Sequence, residues 1–287
     1  MNDIYGIDPK SPSNLSELSA LVRLFSPSEG RFIADFPMGW SDELRNHMKS
    51  ISDGLSIATV EAWIRLGGHA LLPTSKNYKS NLSWLENSSF IRDEVVKLIG
   101  PSSESSKVIC QIDQVLNDPN AFRDSRGGLI PRSVAAYSQV ATPILLRSRK
   151  VVLVDPYFTF RFLPQYSTRW HFDRRRNVVK EMLKVAQRGK FLECFEIFYV
   201  PDNHVYGSEH LLGDLKELIN ELEFANIQIA CKPVKKVSST KQHARYLLGL
   251  RNGLHFDHGF DTADDGSTNH VEWMGNAVLE PLLEKFT

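Results

Sequence analysis

The alternation of apolar and polar positions is clearest in the half of the chain that begins near residue 130. Three continuous runs of β-branched and aromatic residues predict strands, at 150–158, 194–201 and 227–234. Three segments with apolar residues at helical spacing predict helices, at 133–148, 175–191 and 208–225. Strands that alternate with helices predict an α/β fold in which a mostly parallel sheet is sandwiched by helices.

Two more apolar runs follow, at 242–250 and 253–261, and they are joined through Asn252-Gly253. Asn-Gly is a strong signal for the tight turn of a β-hairpin, because both residues tolerate the left-handed backbone that such a turn needs. The sequence therefore predicts that the α/β domain at 130–287 ends in a C-terminal hairpin.

The first 129 residues have a weaker pattern. Residues 1–14 are rich in Pro, Ser and Asn and are expected to be a mobile lead-in, followed by a short helix from Leu15 to Phe25. The segment 30–37 is a strand candidate, and the turn-rich residues 118–131 mark a boundary. We therefore expect a smaller α+β region of no identifiable type at 1–129, followed by the domain at 130–287.

Composition narrows the classes of function without choosing one. Thirty-four basic residues balance 34 acidic residues, so any contact with a polyanion needs a local patch. The three cysteines, Cys110, Cys194 and Cys231, lie far apart and show no zinc-binding spacing, which favours a reducing compartment. No leader pattern and no apolar stretch of membrane-spanning length is visible, so we expect a cytoplasmic protein without a membrane span.

Candidate chemistry is concentrated in the predicted hairpin, KQHARYLLGLRNGLHFDHGFD. Its first strand contains His243 and Arg245, whose side chains share one face because they are two positions apart on a strand. Its second strand ends in Gly259-Phe260-Asp261. The planar guanidinium of an arginine pairs two oxygens of a phosphate, so His243 and Arg245 are expected to reach the same phosphate group.

This element order and the His-x-Arg hairpin resemble one half of the phospholipase D superfamily, over residues 130–287. The family motif is His-x-Lys, four residues, Asp, then Gly-Ser-x-Asn and a nearby Glu. In this chain Arg245 stands in place of the lysine and Leu250 in place of the aspartate. Asn269 and Glu272 stand where the family places its trailing polar pair.

The resemblance implies a set of catalytic residues. In the family mechanism a histidine attacks phosphorus to form a phospho-histidine, and basic side chains neutralise the charge that grows in the transition state. The residues implied for this role are His243, Arg245, Glu272, Asp257 and Asp261. Either of the two aspartates is a candidate to replace the missing carboxylate that orients the histidine. The resemblance implies no cofactor and no metal.

Basic residues elsewhere add candidate phosphate contacts. The segment 169–177 places four arginines at a predicted helix start, and basic residues also lead into the His243 strand. The phosphate-binding role is assigned to Arg169, Arg174, Arg175, Lys236, Lys241 and Asn269. The alternative is that the arginines simply face water, as charge runs usually do. Asp155-Pro156-Tyr157 ends its strand where open α/β sheets place ligands, with a strand-terminating turn as the alternative.

The departures from the family motif favour binding over hydrolysis. We expect a divergent, non-catalytic phospholipase D-like module that binds a phosphate-bearing ligand, such as nucleic acid, or a protein partner. It would be an accessory component of an intracellular multi-protein system, with antiviral defence as one such setting. The alternative is a homodimeric phosphodiesterase or nuclease with His243 as nucleophile, because the first 130 residues hold no second copy of the motif.

Overall fold

The chain divides into two compact units, Met1–Ser125 and Arg126–Thr287, in a computed structural model. The residues described are 2–51, 57–101, 109–118, 126–160, 169–201, 208–224, 226–234 and 245–286. The boundary expected after residue 129 falls inside the first strand of the C-terminal unit, Gly127–Pro131. None of the helices in these ranges is long and apolar enough to span a membrane.

The described part of the N-terminal unit is built on a parallel sheet with the strand order β3-β2-β1-β4-β5. The strands are β1 (Asp3–Ile7), β2 (Arg31–Asp35), β3 (Leu71–Pro73), β4 (Lys97–Gly100) and β5 (Ile109–Gln111). The helices are α1 (Leu15–Leu24), α2 (Trp40–Ile51), α3 (Ile57–Gly67), α4 (Trp84–Ser88) and α5 (Ile112–Asn117). The expectation of an α+β region was wrong: strands this short leave too few positions for a pattern to be read.

The expected mobile lead-in contains the central strand of this sheet. β1 pairs with both β2 and β4, and its residues Tyr5 and Ile7 are buried. The Tyr5 ring packs edge-on against Phe25, with 5.1 Å between ring centroids. At Gly6, a Cβ would lie 2.7 Å from the side chain of Leu98, so a small residue is needed where these strands meet. Packing holds this segment in place despite its turn-rich composition.

The described part of the C-terminal unit contains a sheet with the order β6-β12-β11-β10-β7-β8-β9. Its strands are β6 (Gly127–Pro131), β7 (Lys150–Val154), β8 (Cys194–Tyr199), β9 (Gln228–Pro233), β10 (Arg245–Leu248), β11 (Gly253–Phe256) and β12 (Thr268–Trp273). Its helices are α6 (Val134–Arg147), α7 (Arg169–Gly189), α8 (Ser208–Glu221) and α9 (Asn276–Phe286). The α/β class predicted from the sequence is confirmed.

The sheet of the C-terminal unit is mixed, whereas a mostly parallel one was expected. Among the described strands of this sheet, only β7, β8 and β9 pair in parallel, and the other four pairings are antiparallel. The predicted hairpin is present, since β10 pairs with β11 and closes at Leu248 and Gly253. The antiparallel half is extended by β12 and β6, which pair Asn269 with Ile130. No local sequence pattern predicts a pairing between two strands that are so distant in sequence.

Helices cover both faces of this sheet. On one face, Tyr137 of α6 packs against Phe256 and Phe260, with ring centroids 6.0 and 6.2 Å apart. On the other face, Phe286 of α9 packs edge-on against Phe198, with 5.1 Å between centroids. We call these the α6 face and the α9 face. Side chains of adjacent strand residues alternate between them, which decides which polar groups can meet.

Candidate phosphate-binding site

A buried carboxylate lies at the carboxyl end of β7. Asp155 directly follows the apolar strand and is 0% exposed. Its Oδ1 accepts a hydrogen bond from the Tyr157 backbone N–H at 3.0 Å and lies 3.5 Å from Nε of Arg245. Its Oδ2 has no hydrogen-bond partner among the described residues. A buried charge is costly unless it is paired, so the pairing of Asp155 with Arg245 ties β7 to the start of β10.

Arg245, the basic residue of the predicted catalytic pair, is held by contacts on several sides. Besides lying near Asp155, it donates a hydrogen bond from Nη1 to the Asp257 carbonyl oxygen at 2.8 Å. Its guanidinium also lies over the Tyr157 ring, 5.8 Å from the centroid. These contacts place a largely buried cation at the end of the sheet where the parallel strand β7 also ends.

Gly259 allows charged groups from three segments to approach one another. A Cβ at this position would lie 3.2 Å from Asp155 Oδ2, 3.6 Å from Arg245 Nε and 3.6 Å from Asp261 Oδ1. The absence of a side chain therefore leaves a small space bordered by these three groups. The Gly259 carbonyl oxygen accepts a hydrogen bond from the buried hydroxyl of Tyr137 at 2.9 Å, which fixes this part of the loop.

Asp261, a predicted catalytic residue, lies between two arginines from different elements. Its Oδ1 is 2.6 Å from Nη2 of Arg132, which precedes α6, and its Oδ2 is 4.0 Å from Nη2 of Arg175 in α7. One carboxylate thus faces two guanidinium groups, so this trio carries net positive charge. Burial lowers the pKa of Arg132, but the hydrogen bond and the charge of Asp261 raise it, and the pKa lies above its ordinary value.

The loop at 257–267 is surrounded by arginines that come from three parts of the chain. Arg174, next to Arg175 on α7, forms an ion pair with the exposed carboxylate of Asp264. Arg132 also approaches Ser267, with Nη1 3.4 Å from Oγ. The arginine cluster, as we call it, consists of Arg132, Arg174, Arg175 and Arg245. Arg174, Arg175, Arg245 and Asp261 are therefore sequence candidates that the structure brings to one loop.

Asn269, which was predicted to bind phosphate, is hydrogen-bonded inside the protein. It is fully buried, and its Oδ1 accepts a hydrogen bond from the His258 N–H at 2.9 Å. Its Nδ2 lies 3.1 Å from the His258 carbonyl oxygen and 3.0 Å from the Tyr137 hydroxyl, and donates to both. Burial raises the pKa of Tyr137, so its hydroxyl keeps its proton for Gly259. Asn269 therefore positions the loop from inside the protein.

Glu272 and the Asp257 carboxylate lie apart from the cluster. Glu272 pairs with His255, which pairs with Tyr246, whereas Arg245 pairs with Phe256 on the α6 face. Strand alternation thus puts Glu272 on the α9 face, away from Arg245, with which the family resemblance grouped it. The Asp257 carboxylate lies 3.8 Å from Nδ1 of His255 and 3.7 Å from Nδ1 of His270. Only the backbone oxygen of Asp257 contacts Arg245.

Three predicted site residues, His243, Lys236 and Lys241, lie outside the described residues. Arg169 begins α7, but its side chain is also outside what the structure describes. Within the described ranges, no group of three or more His, Cys, Asp or Glu side chains is placed to hold a metal ion.

Arg132, Tyr137 and Asp155 were not among the site residues predicted from the sequence. Asp155 is a polar residue at the end of an apolar strand, and for that reason the segment 155–157 was considered as a place where a ligand binds. Arg132 carried no such signal, because 129 positions separate it from Asp261. Only the pairing of β6 with β12 brings these two residues together.

Neither the known protein families nor the curated proteins contain a match to this chain. Among solved structures, the chain is similar to TrmBL2, an archaeal chromatin protein whose structure shows a novel mode of DNA binding. The two are 12% identical, with a TM-score of 0.31, and the match covers 61% of this chain and 55% of the archaeal one. A likeness this weak does not establish a shared fold.

Proposed function

We propose that the C-terminal unit is a divergent phospholipase D-like module that binds a phosphate-bearing ligand, such as nucleic acid, through the arginine cluster. The observation that carries the proposal is the sharing of one carboxylate, Asp261, by Arg132 and Arg175. Two guanidinium groups that face one carboxylate, one of them hydrogen-bonded to it, offer donors of the kind that arginine uses to pair phosphate oxygens.

Charge and burial both support this proposal. The Arg132 and Arg175 side chains are 20% and 11% exposed, so their charges are screened less than those of ordinary surface arginines. Nε of Arg132 has no hydrogen-bond partner within the described part of the chain. A phosphate that competed with Asp261 for these two guanidinium groups would meet donors already held in place, which reduces the entropy lost on binding. The chain as a whole is neutral, so the attraction rests on the one net positive charge that the four arginines and the three carboxylates Asp155, Asp261 and Asp264 leave.

The placement of the carboxylates favours binding over turnover. Asp155 and Asp261 are each engaged with an arginine, and Glu272 lies on the α9 face. A carboxylate that orients a nucleophilic histidine must accept a hydrogen bond from its ring, and an arginine competes for the same oxygens. The homodimeric phosphodiesterase that uses His243 remains the alternative, and a turnover assay separates the two.

The test is a binding titration of the full chain with a fluorescent oligothymidylate, read by anisotropy. Arg175→Gln and Arg132→Gln should each weaken binding by about 10-fold, since a hydrogen bond to a charged group contributes about 1.5–3 kcal/mol. Each substitution should also reduce the salt dependence, by about 0.7 in the slope of log K against log salt concentration. Arg149→Gln is the matched control, because Arg149 is 71% exposed and precedes the opposite end of β7.

The outcomes separate the candidate functions. Equal losses for Arg149→Gln and Arg175→Gln would mean that binding follows total charge and that the site is wrong. Failure of the wild-type chain to bind either the oligonucleotide or inorganic phosphate would overturn the proposal. Cleavage of the oligonucleotide or of a generic phosphodiester, if abolished by His243→Ala, would favour the phosphodiesterase instead.

A further inference from the structure

An exposed aromatic ring adjoins the arginine cluster. Tyr157 follows the end of β7, and its side chain is 40% exposed. Its backbone N–H donates to Oδ1 of Asp155, and its ring lies 5.8 Å from the guanidinium carbon of Arg245. A buried carboxylate and a largely buried cation therefore fix the place of a ring that water can reach.

The position of Tyr157 distinguishes it from the other exposed aromatic residue. Among the Phe, Tyr and Trp residues in the described part of the C-terminal unit, Tyr157 and Phe191 are exposed. Phe191 precedes β8, at the edge where the parallel strands β7 and β8 begin, whereas Tyr157 follows β7 at the opposite edge. The exposed ring that adjoins the cluster is thus that of Tyr157.

We infer that the ligand of this site is a single-stranded nucleic acid, one of whose bases stacks on Tyr157 while its backbone phosphate lies on the arginine cluster. A nucleotide carries a flat base and an anionic phosphate on one sugar, which matches a ring beside clustered guanidinium groups. Proteins that bind single strands combine these two elements, and a duplex hides the base faces that the ring would contact. The inference rests on the proposed function and specifies its ligand.

The test compares two single strands of equal charge, one with bases and one without, and adds a duplex. Wild-type full chain is titrated with an oligothymidylate about 15 nucleotides long, an abasic oligomer of the same length and a duplex. The oligothymidylate should bind about 10-fold more tightly than the abasic oligomer, within the range of about 5- to 150-fold that corresponds to stacking one base. The duplex should bind more weakly than the oligothymidylate, although it carries more charge, because its base faces are hidden.

Substitutions at Tyr157 and Phe191 test which ring causes the preference for the oligothymidylate. Tyr157→Leu keeps apolar bulk but removes the ring, so it should abolish the preference for the oligothymidylate over the abasic oligomer. Tyr157→Phe retains the ring and should behave as wild type. Phe191→Leu is the matched control and should also behave as wild type. Circular dichroism of each variant verifies that it is folded.

Failure of this inference is distinguishable from failure of the proposed function. If wild type binds the oligothymidylate and the abasic oligomer equally, and Arg175→Gln weakens both, the phosphate site stands and base stacking is wrong. Tighter binding of the duplex than of the single strand would also overturn the inference. If none of the oligomers binds, the inference fails, and if inorganic phosphate does not bind either, the proposed function fails with it. The comparison of ligands on wild type decides the matter even if a variant does not fold.

Discussion

Arg245 and Asp155 form an ion pair at the end of the C-terminal sheet, with Nε of the arginine 3.5 Å from Oδ1 of the aspartate. Their side chains are 14% and 1% exposed, and they flank the last paired residues of β10 and β7, Tyr246 and Val154. The pair therefore belongs both to the strand pairing and to the candidate site. Loss of either partner should affect stability as well as binding.

Asp155→Asn should destabilise the protein by about 3 kcal/mol, because it leaves the largely buried Arg245 without its carboxylate. The asparagine retains an oxygen for the Tyr157 N–H, so the change isolates the charge. Urea denaturation measures the loss, with Asp264→Asn as the control. Asp264 is 78% exposed where it pairs with Arg174, and its loss should have little effect. Equal small effects of both changes would show that the buried pair contributes no stability.

Asn269→Ala should lower the free energy of unfolding by about 2–3 kcal/mol. The change removes the buried partner of the His258 N–H and carbonyl groups and takes one hydrogen bond from Tyr137. Binding of the oligothymidylate should weaken with it, because the loop that carries Asp261 loses its internal support. Thr268→Ala, at an exposed neighbour on β12, is the control. Weakened binding with unchanged stability would instead favour direct phosphate contact by Asn269.

Two glycine-to-alanine changes in helices should have opposite effects on stability. At Gly189 of α7, a Cβ would lie 2.6 Å from the backbone oxygen of Leu146 and 2.8 Å from its Cα. Backbone cannot move aside as a side chain can, so Gly189→Ala should cost about 1–3 kcal/mol. At Gly213 of α8 nothing described lies within 4 Å, and Gly213→Ala should stabilise by about 0.5–1 kcal/mol. Thermal unfolding of both variants measures whether each change raises or lowers the midpoint temperature.

Stability should fall in acid partly through Glu196. This buried carboxylate has Lys150 at 3.1 Å and Lys232 at 2.8 Å. Burial raises its pKa, but the two lysines lower it more, so the pKa lies below its ordinary value of 4.5. A carboxyl group whose pKa is lowered in the folded state stabilises the fold at pH values above its unfolded-state pKa. That stabilisation is lost as the pH falls through the folded-state pKa.

The measurement is the free energy of unfolding between about pH 6 and pH 3. Wild type should lose more stability across this range than Glu196→Gln, because glutamine does not titrate. Glu193→Gln is the control, since Glu193 is 66% exposed where it faces Arg149. Parallel pH profiles for wild type and Glu196→Gln would show that the two lysines do not shift the titration.

Several sequence-based interpretations stay predictions. The role of His243, the phosphate contacts of Lys236 and Lys241, and the side-chain role of Arg169 fall outside what the structure describes. The homodimer, the cytoplasmic location and the accessory role in a multi-protein or antiviral system also remain to be tested by experiment.

Local pattern was enough to predict most elements of the C-terminal unit, but not β6, β12 or α9. The helix expected at 133–148 is Val134–Arg147, and the strand expected from residue 150 is Lys150–Val154. Asn252-Gly253 correctly marked the hairpin. Each of these three elements depends on residues that are close together in sequence, where helical or alternating periodicity can be recognised. Arg245 and Asp261 were chosen in the same way, from one short segment.

Tertiary structure decided what local pattern could not. The strand β1 is stabilised by pairing on both sides, although its own five residues carry little signal. The Arg132 contact with Asp261 depends on β6 joining β12, and the register of β12 puts Glu272 on the face away from Arg245. The sequence by itself therefore determined the class of fold and half of a charged site. Long-range strand pairing determined which arginines complete that site, because side chains distant in sequence meet only after the sheet has formed.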